Sequence, residues 1–444
     1  MLPGRRRYKE WVSLYSINFH RLGIRNRSMP IKTLHFTNYY HSRSGGIRTL
    51  YHALLQAAER RRRPMRLVVP GEADRVESLG EFTRIYHVRA PRSPLFDSQY
   101  RLLLPHRFLL PFPTSIRRII ESEQPDLIEI CGKYALAWLA GAVRKRWMPR
   151  VGRPLLVGLS CERMDDNLAV YLGPRWRGAA SVYMKRVYRP LFDRHIAVSP
   201  YVAEELLDET EVAREHLTVL PMGVDAGCFG PQHGSAAVRR RLLDRVGGGA
   251  RTRLLLYAGR LSREKNIRLL VDMMRALVSA NATTPAQDYR LLIAGRGPLE
   301  PWLQEQAQHL SGRIVLLGHL ADRQALAELL ANTDAFIHPN PREPFGITPL
   351  EAMCSELPLV APSQGGVVSY CGVQNAWLTE PNGPSFAASG RACFDDQATR
   401  TARVTEGRRT ALAHSWNEIA GRFFDTYESF YRSHRAEQER LDPR

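Results

Sequence analysis

Two successive series of short apolar runs, each alternating with amphipathic stretches, constrain this chain more than any other feature. The first series comprises Thr33–Phe36, Arg66–Val69, Arg84–Val88, Asp126–Ile130, Leu155–Leu159 and His195–Val198. The second begins at Leu217–Pro221 and continues through Leu254–Ala258, Arg290–Ala294, Ile314–Leu317, Ala335–His338 and Leu359–Ala361. Helix-like stretches such as Thr49–Arg60 and Tyr134–Arg146 lie between them. Strands that alternate with helices build parallel sheets covered on both faces, so the pattern predicts an α/β architecture. At 444 residues the chain exceeds the size at which one core stops growing, and two domains of about 200 residues follow. The turn-rich Pro221-Met-Gly-Val-Asp225 separates the two series. The expected organisation is a basic tail over 1–29, a first domain over 30–220, a second over 221–405, a terminal helix over 406–432 and a tail over 433–444.

Within the second series, Glu343-Pro-Phe-Gly-Ile-Thr-Pro-Leu-Glu351 follows the strand-like Asp334–His338 and leads into the helix-like Leu350–Cys354. One carboxylate therefore belongs to a loop and the other to a first helical turn. The amides of that turn have no helical acceptor and carry the positive end of the dipole, which suits a phosphate flanked by hydroxyl-gripping carboxylates. A structural reading stands beside this one. Thr348-Pro-Leu-Glu351 also has the form of a capping box, with Thr348 as N-cap, Pro349 at the first helical position and Glu351 bonding back.

Four further segments carry polar residues at strand ends. Leu254–Ala258 runs into Gly259-Arg260-Leu-Ser-Arg-Glu-Lys265-Asn266, where two cations would face a ligand at the strand's carboxyl end; loop cations are also often simply solvated. Gly45 and Gly46 follow the first strand and allow close backbone approach to a phosphate or sugar, or just a tight connection. Leu291-Leu-Ile-Ala-Gly295-Arg-Gly297 suggests a dinucleotide fingerprint, but Glu300 occupies the third glycine position, so these glycines read first as turn formers. Gly158-Leu-Ser-Cys161-Glu162-Arg163-Met-Asp165 closes a first-domain strand, with Cys161 also readable as a small buried residue.

The Glu343–Glu351 segment, with its flanks Pro339–Gly346 and Glu351–Pro362 and the pair Gly365-Gly366, resembles the E-x7-E motif of retaining glycosyltransferases of family 4 (glycosyl transferases group 1). The resemblance covers roughly residues 31 to 432. It implies the GT-B fold: two Rossmann-like α/β domains facing a central cleft, with a C-terminal helix crossing back to the N-terminal domain. It also implies that Glu343 holds sugar hydroxyls and Glu351 the ribose, while the backbone at Phe345, Gly346, Ile347 and Thr348 supports phosphate and sugar. Arg260 and Lys265 resemble the family's diphosphate-binding pair, Gly45 and Gly46 its first-domain glycine loop, and Gly259, Gly295 and Gly297 its turns near the nucleotide. In some mannosyltransferases a histidine precedes the glutamate that corresponds to Glu162; Cys161 stands there in this chain, which removes one expected sugar contact. Cys161, Arg163 and Asp165 become acceptor-side candidates and Glu162 a catalytic one. No cofactor is implied, because the nucleoside diphosphate sugar is the substrate. No metal is expected, since the chain lacks the D-x-D pair of the other major transferase fold. A non-catalytic sugar-nucleotide-binding partner protein and a GT-B sugar-nucleotide epimerase are the alternatives.

The formal charge of +19 favours anionic surfaces. Clusters such as Arg5–Arg7, Arg60–Arg63 and Arg144–Arg146 accompany no nucleic-acid-binding fingerprint, so an anionic membrane is the expected partner surface and nucleic acid is not. The apolar, arginine-studded Tyr100–Phe112 would either meet lipid or pack as an acceptor-side cover. Phe423, Phe424, Tyr427 and Tyr431 recur at helical spacing, as a bracing terminal helix requires. No apolar stretch approaches the roughly 20 residues that span a bilayer, and the N-terminus lacks a secretory core. The six cysteines form no C-x-x-C pair. A cytoplasmic protein, peripheral at the inner face of the membrane and acting on a glycan or lipid-linked envelope acceptor, is the resulting expectation.

Overall fold

The computed structural model describes residues 30–40, 45–93, 101–110, 113–207, 216–283, 287–320 and 322–441. The basic tail and Ser42-Arg-Ser44 lie outside them. The compact unit Ile31–Arg444 contains two sheets. The first comprises β1 (Thr33–Thr37), β2 (Met65–Gly71), β3 (Arg75–Ser78), β4 (Thr83–Arg89), β5 (Leu127–Cys131), β6 (Leu155–Ser160), β7 (Arg194–Ala197) and β8 (Leu217–Val219), in the order β3-β4-β2-β1-β5-β6-β7-β8. Every pairing is parallel except β3 against β4. The second comprises β9 (Thr252–Ala258), β10 (Asp288–Ala294), β11 (Ile314–Gly318), β12 (Ala335–Ile337), β13 (Leu359–Pro362) and β14 (Trp377–Thr379), all parallel, in the order β11-β10-β9-β12-β13-β14.

These are the facing α/β sheets that the GT-B resemblance implies, with one correction. The Leu217–Val219 run does not open the second series; its hydrogen bonds go to β7, making it the eighth strand of the first sheet.

The central strands of both sheets are buried on both faces, which explains why they are continuously apolar rather than alternating, whereas the edge strand β3 is largely exposed. In β9 the period of two is still visible. Leu254 and Leu256 join the core shared with the first lobe, while Leu255 and Tyr257 join a separate cluster under the helices Arg268–Thr283 and Gly383–Asp395. In each sheet the chain order reverses beside a central strand: β1 lies between β2 and β5, and β9 lies between β10 and β12. Crevices outside the carboxyl ends of strands at such reversals are where open α/β sheets take ligands.

The terminal helix Trp416–Leu441 lies against the Gly46–Arg60 helix of the first lobe. Phe423, Phe424 and Tyr427 are buried. The Tyr427 hydroxyl donates to Glu129 Oε2, and the other Glu129 oxygen meets Tyr51 OH and His35 Nδ1, each at 2.9 Å. Four chain segments thus meet at one fully buried carboxylate. The helix continues through Leu441, so the stretch expected as a tail from residue 433 is helical for most of its length, held at Glu437 by Arg194 at 2.6 Å. Between residues 101 and 110, Leu103 and Phe108 are buried in the first-lobe core, with Leu103 N bonded to Asn38 Oδ1 at 2.9 Å; these residues pack on the domain.

Candidate functional site

A cavity of about 2630 Å³ separates the carboxyl edges of the two sheets. Gly45, Gly46, Cys161, Glu162 and Arg163 line it from the first lobe. From the second come Gly259, Arg260, Lys265, Gly295, Gly297, Glu343, Phe345, Gly346, Ile347, Thr348 and Glu351. Asp165 does not reach it. That carboxylate is taken by the Arg163 fork, at 3.0 Å to Oδ1 and 2.7 Å to Oδ2, and its neighbour Asp166 lines the wall instead.

The E-x7-E segment leaves β12 and turns at Gly346, whose φ of 91° is one that side-chain-bearing residues adopt only with strain. Gly346 is the N-cap of the helix Ile347–Cys354, and no side chain caps it. The capping-box reading is therefore corrected. Thr348 lies inside the helix, and Glu351 turns to Arg323, with Nη2 3.0 Å from Oε1, rather than back to the helix start. Tyr370 OH donates to Gly346 O at 2.5 Å and Ser199 Oγ to Pro344 O at 2.5 Å, which fixes the loop from both lobes. A Cβ on Gly46, the first residue of the Gly46–Arg60 helix, would come within 3.1 Å of Ile347 Cδ1. Two helix starts, one from each lobe, thus abut at the cavity, and both dipoles favour an anion there.

Lys265 closes the loop that follows β9. Its ammonium sits 3.0 and 2.8 Å from the two oxygens of Glu343, and Asn340 Nδ2 donates to Oε2 at 3.0 Å. Burial works to raise the Glu343 pKa, but Lys265, His338 and these hydrogen bonds hold it at about 2. His338, behind it, is driven down to about 4 by burial, and its Nε2 has no hydrogen-bond partner among the described residues. Glu351 behaves differently: burial raises its pKa, and Arg323 only partly opposes that. Arg260 is exposed at the cavity edge, with its carbonyl fixed by Tyr257 OH at 3.0 Å. Gly295 turns tightly after β10: its φ is 145°, and a Cβ there would lie 1.9 Å from Gly259 O.

On the first-lobe wall Glu162 accepts from Tyr39 OH and Asn167 Nδ2, each at 2.9 Å. Burial raises its pKa against the pull of Lys133 and these two donors. Lys133, 1% exposed, pairs with Glu205 at 2.5 Å and donates to the Glu162 carbonyl, so a buried ion pair anchors the backbone beneath the carboxyl. Burial also raises the Cys161 thiol, whose Sγ lies 3.9 Å from that of Cys131.

Sequence reasoning missed Lys133, Tyr39, Asn167, Asn340, His338 and Arg323, all of which line the cavity. A lone lysine directly after an apolar strand, as in Cys131-Gly-Lys133, was the one usable signal; the others depend on contacts between distant segments. Among the described residues, no helix is long and apolar enough to cross a membrane, and no group of three or more His, Cys, Asp or Glu residues could hold a metal ion.

The Glycosyltransferase Family 4 model matches residues 44–227, and the Glycosyl transferases group 1 model matches residues 252–396. A GDP-mannose-dependent alpha-(1-6)-phosphatidylinositol dimannoside mannosyltransferase from Mycobacterium tuberculosis is 25% identical over 397 residues, 89% of this chain and 96% of its own length. A D-inositol 3-phosphate glycosyltransferase from Thermobispora bispora is 29% identical over 67% of this chain and 70% of its own. Among solved structures, sucrose-phosphate synthase from Thermosynechococcus elongatus superimposes with a TM-score of 0.70 at 19% identity, covering 91% of this chain and all of its own. Anabaena HepE in complex with UDP and glucose does so with a TM-score of 0.64 at 18% identity, covering 90% of this chain and all of its own.

Proposed function

Because this chain belongs to the family 4, group 1 glycosyltransferases and has the GT-B fold, we propose that it moves a hexosyl group, with retention of configuration, from a nucleoside diphosphate sugar to a glycan or lipid-linked envelope acceptor. The observation that carries this reading is the convergence of two helix starts, the Arg260 and Lys265 cations, and the Glu343 and Glu351 carboxylates on one cavity between the lobes. The near full-length likeness to a GDP-mannose-dependent enzyme supports a mannosyl donor, and the lipid in that relative's name supports a lipid-linked acceptor. A peripheral position on an anionic membrane fits the charge of +19.

In this reading the diphosphate lies between the Gly45–Gly46 turn and the Gly346–Ile347 helix start. Charge grows on the leaving phosphate as the glycosyl bond breaks, and Arg260 and Lys265, already placed, stabilise it without reorganising. Glu343 stays ionised and accepts hydrogen bonds from sugar hydroxyls, while Glu351 does so from the ribose. The leaving phosphate accepts the acceptor's proton. Glu162, with its raised pKa, faces the sugar from the opposite wall, where Arg163 and Cys161 border the acceptor. Catalysis is thus positioning plus preorganised charge.

The test is NMR of the purified protein with GDP-mannose and UDP-glucose, with and without lipid extract and with EDTA present. The expected result is transfer with the donor's anomeric configuration kept, unaffected by EDTA and abolished in Glu343→Ala. An inverted product refutes retention. Binding without turnover assigns the non-catalytic partner role, and a new free nucleotide sugar assigns epimerisation.

A further inference from the structure

Arg323 belongs to none of the motifs that mark the donor site, yet it touches both lobes. It is the first residue of the helix Arg323–Ala331, whose N-cap, Asp322, accepts from Ala325 N at 2.8 Å. From there Nη2 donates to Glu351 Oε1 at 3.0 Å, and Nη1 donates to Thr49 Oγ1 at 3.2 Å, on the Gly46–Arg60 helix of the first lobe. The guanidinium lies 4.8 Å above the Phe229 ring, and its buried Nε has no hydrogen-bond partner among the described residues.

We infer that Arg323 is a positioning residue of the donor site: it holds Glu351 toward the ribose and fastens the two lobes together across the bound nucleotide. The inference rests on the donor-site reading above. A planar fork is needed for this, because two nitrogens in fixed relative positions serve two acceptors on different lobes; a lysine ammonium does not reproduce that geometry. The stacking on Phe229 keeps the fork from swinging away. Glu351 also needs the cation. It is 3% exposed and burial favours its neutral form. Arg323 opposes that, while Asp225, in the loop after β8, adds to it. Other titratable neighbours are the thiols of Cys228 and Cys354, the Tyr370 hydroxyl and, facing Arg323 from the Gly46–Arg60 helix, His52, whose pKa burial lowers. Without Arg323 the group that should accept ribose hydroxyls takes a proton at a higher pH.

Calorimetric binding of GDP and UDP to wild type, Arg323→Met, Arg323→Lys, Thr49→Val and Glu351→Gln tests this, at about pH 6 and about pH 8. Arg323→Met should weaken the nucleotide that wild type binds by about 10-fold or more, and by more at the lower pH. Arg323→Lys should fall between the two, keeping the charge but not the fork. Thr49→Val should cost about 2- to 5-fold with the wild-type pH dependence. Arg323→Met and Glu351→Gln should overlap in the double variant rather than add. Wild-type affinity and pH dependence in Arg323→Met, or full additivity with Glu351→Gln, overturns this inference alone. Failure of wild type to bind either nucleotide overturns the donor-site reading as well.

Discussion

The Lys265–Glu343 pair is where the electrostatics of the cleft can be measured most directly. Glu343 keeps 13% of its side chain exposed and Lys265 keeps 29%, so neither is screened as a surface pair would be. A fall from the ordinary 4.5 to about 2 corresponds to about 3 kcal/mol in favour of the ionised carboxylate. Because the folded-state value is depressed, this stability is fully present above the unfolded value near 4.5. It is lost as the pH falls from there through about 2. Lys265→Met removes the cation but keeps the stem. Burial then dominates, and Glu343 should titrate above its ordinary range. In a double-mutant cycle with Glu343→Gln, urea unfolding at neutral pH followed by tryptophan fluorescence should give a coupling of about 2–3 kcal/mol. Part of the full 3 is lost to solvent at the cavity side and part is carried by Asn340 and His338. The coupling should shrink as the pH falls below about 4.5. Additivity within about 0.5 kcal/mol, or a coupling that does not change with pH, refutes the argument that Lys265 keeps Glu343 charged.

Gly295→Ala should destabilise the second lobe by about 2 kcal/mol or more, since its φ is strained for alanine and the new methyl would overlap Gly259 O; a thermal melt equal to wild type refutes this. Tyr427→Phe removes a donor from the buried Glu129 and should cost about 1–2 kcal/mol. It should also speed limited proteolysis of the terminal helix, whereas unchanged cleavage would show that the aromatic packing alone holds it.

Much of this fold was legible because most of its strands are short, apolar and doubly covered, so each reads as a separate run; the exposed, polar β3 gives no such signal. The pairing partner of a strand is another matter. Leu217–Val219 has the same local character whichever sheet it joins, and only its hydrogen bonds to β7 decide the question. The motif-bearing loops were legible for a related reason: glycines and charges at strand ends are local signals, and all but one of the residues they nominated line the cavity. Asp165 failed because its neighbour Arg163 captures it, and charge alone does not say which of two adjacent aspartates faces a cleft. The capping box at Thr348 failed because a distant arginine competes for Glu351. Lys133 and Glu205 are 72 residues apart, and nothing local reveals that they pair.

The two acidic anchors share a design that bears on how the site meets its ligand. Glu343 and Glu351 each already have a cation, Lys265 and Arg323 respectively, so these two carboxylates and their partners meet a ligand as pairs rather than as bare charges. A patch of free cations would take any polyanion, and this chain carries +19 overall. Pairing suppresses that. In the proposed reading, a ligand that brings phosphate to the helix starts and hydroxyls to both carboxylates satisfies the cations and the anions together. Inorganic diphosphate alone meets half of these demands, and a nucleoside or free sugar meets the other half. In the proposed reading, a nucleoside diphosphate sugar is selected because it leaves neither charge of each pair unmatched.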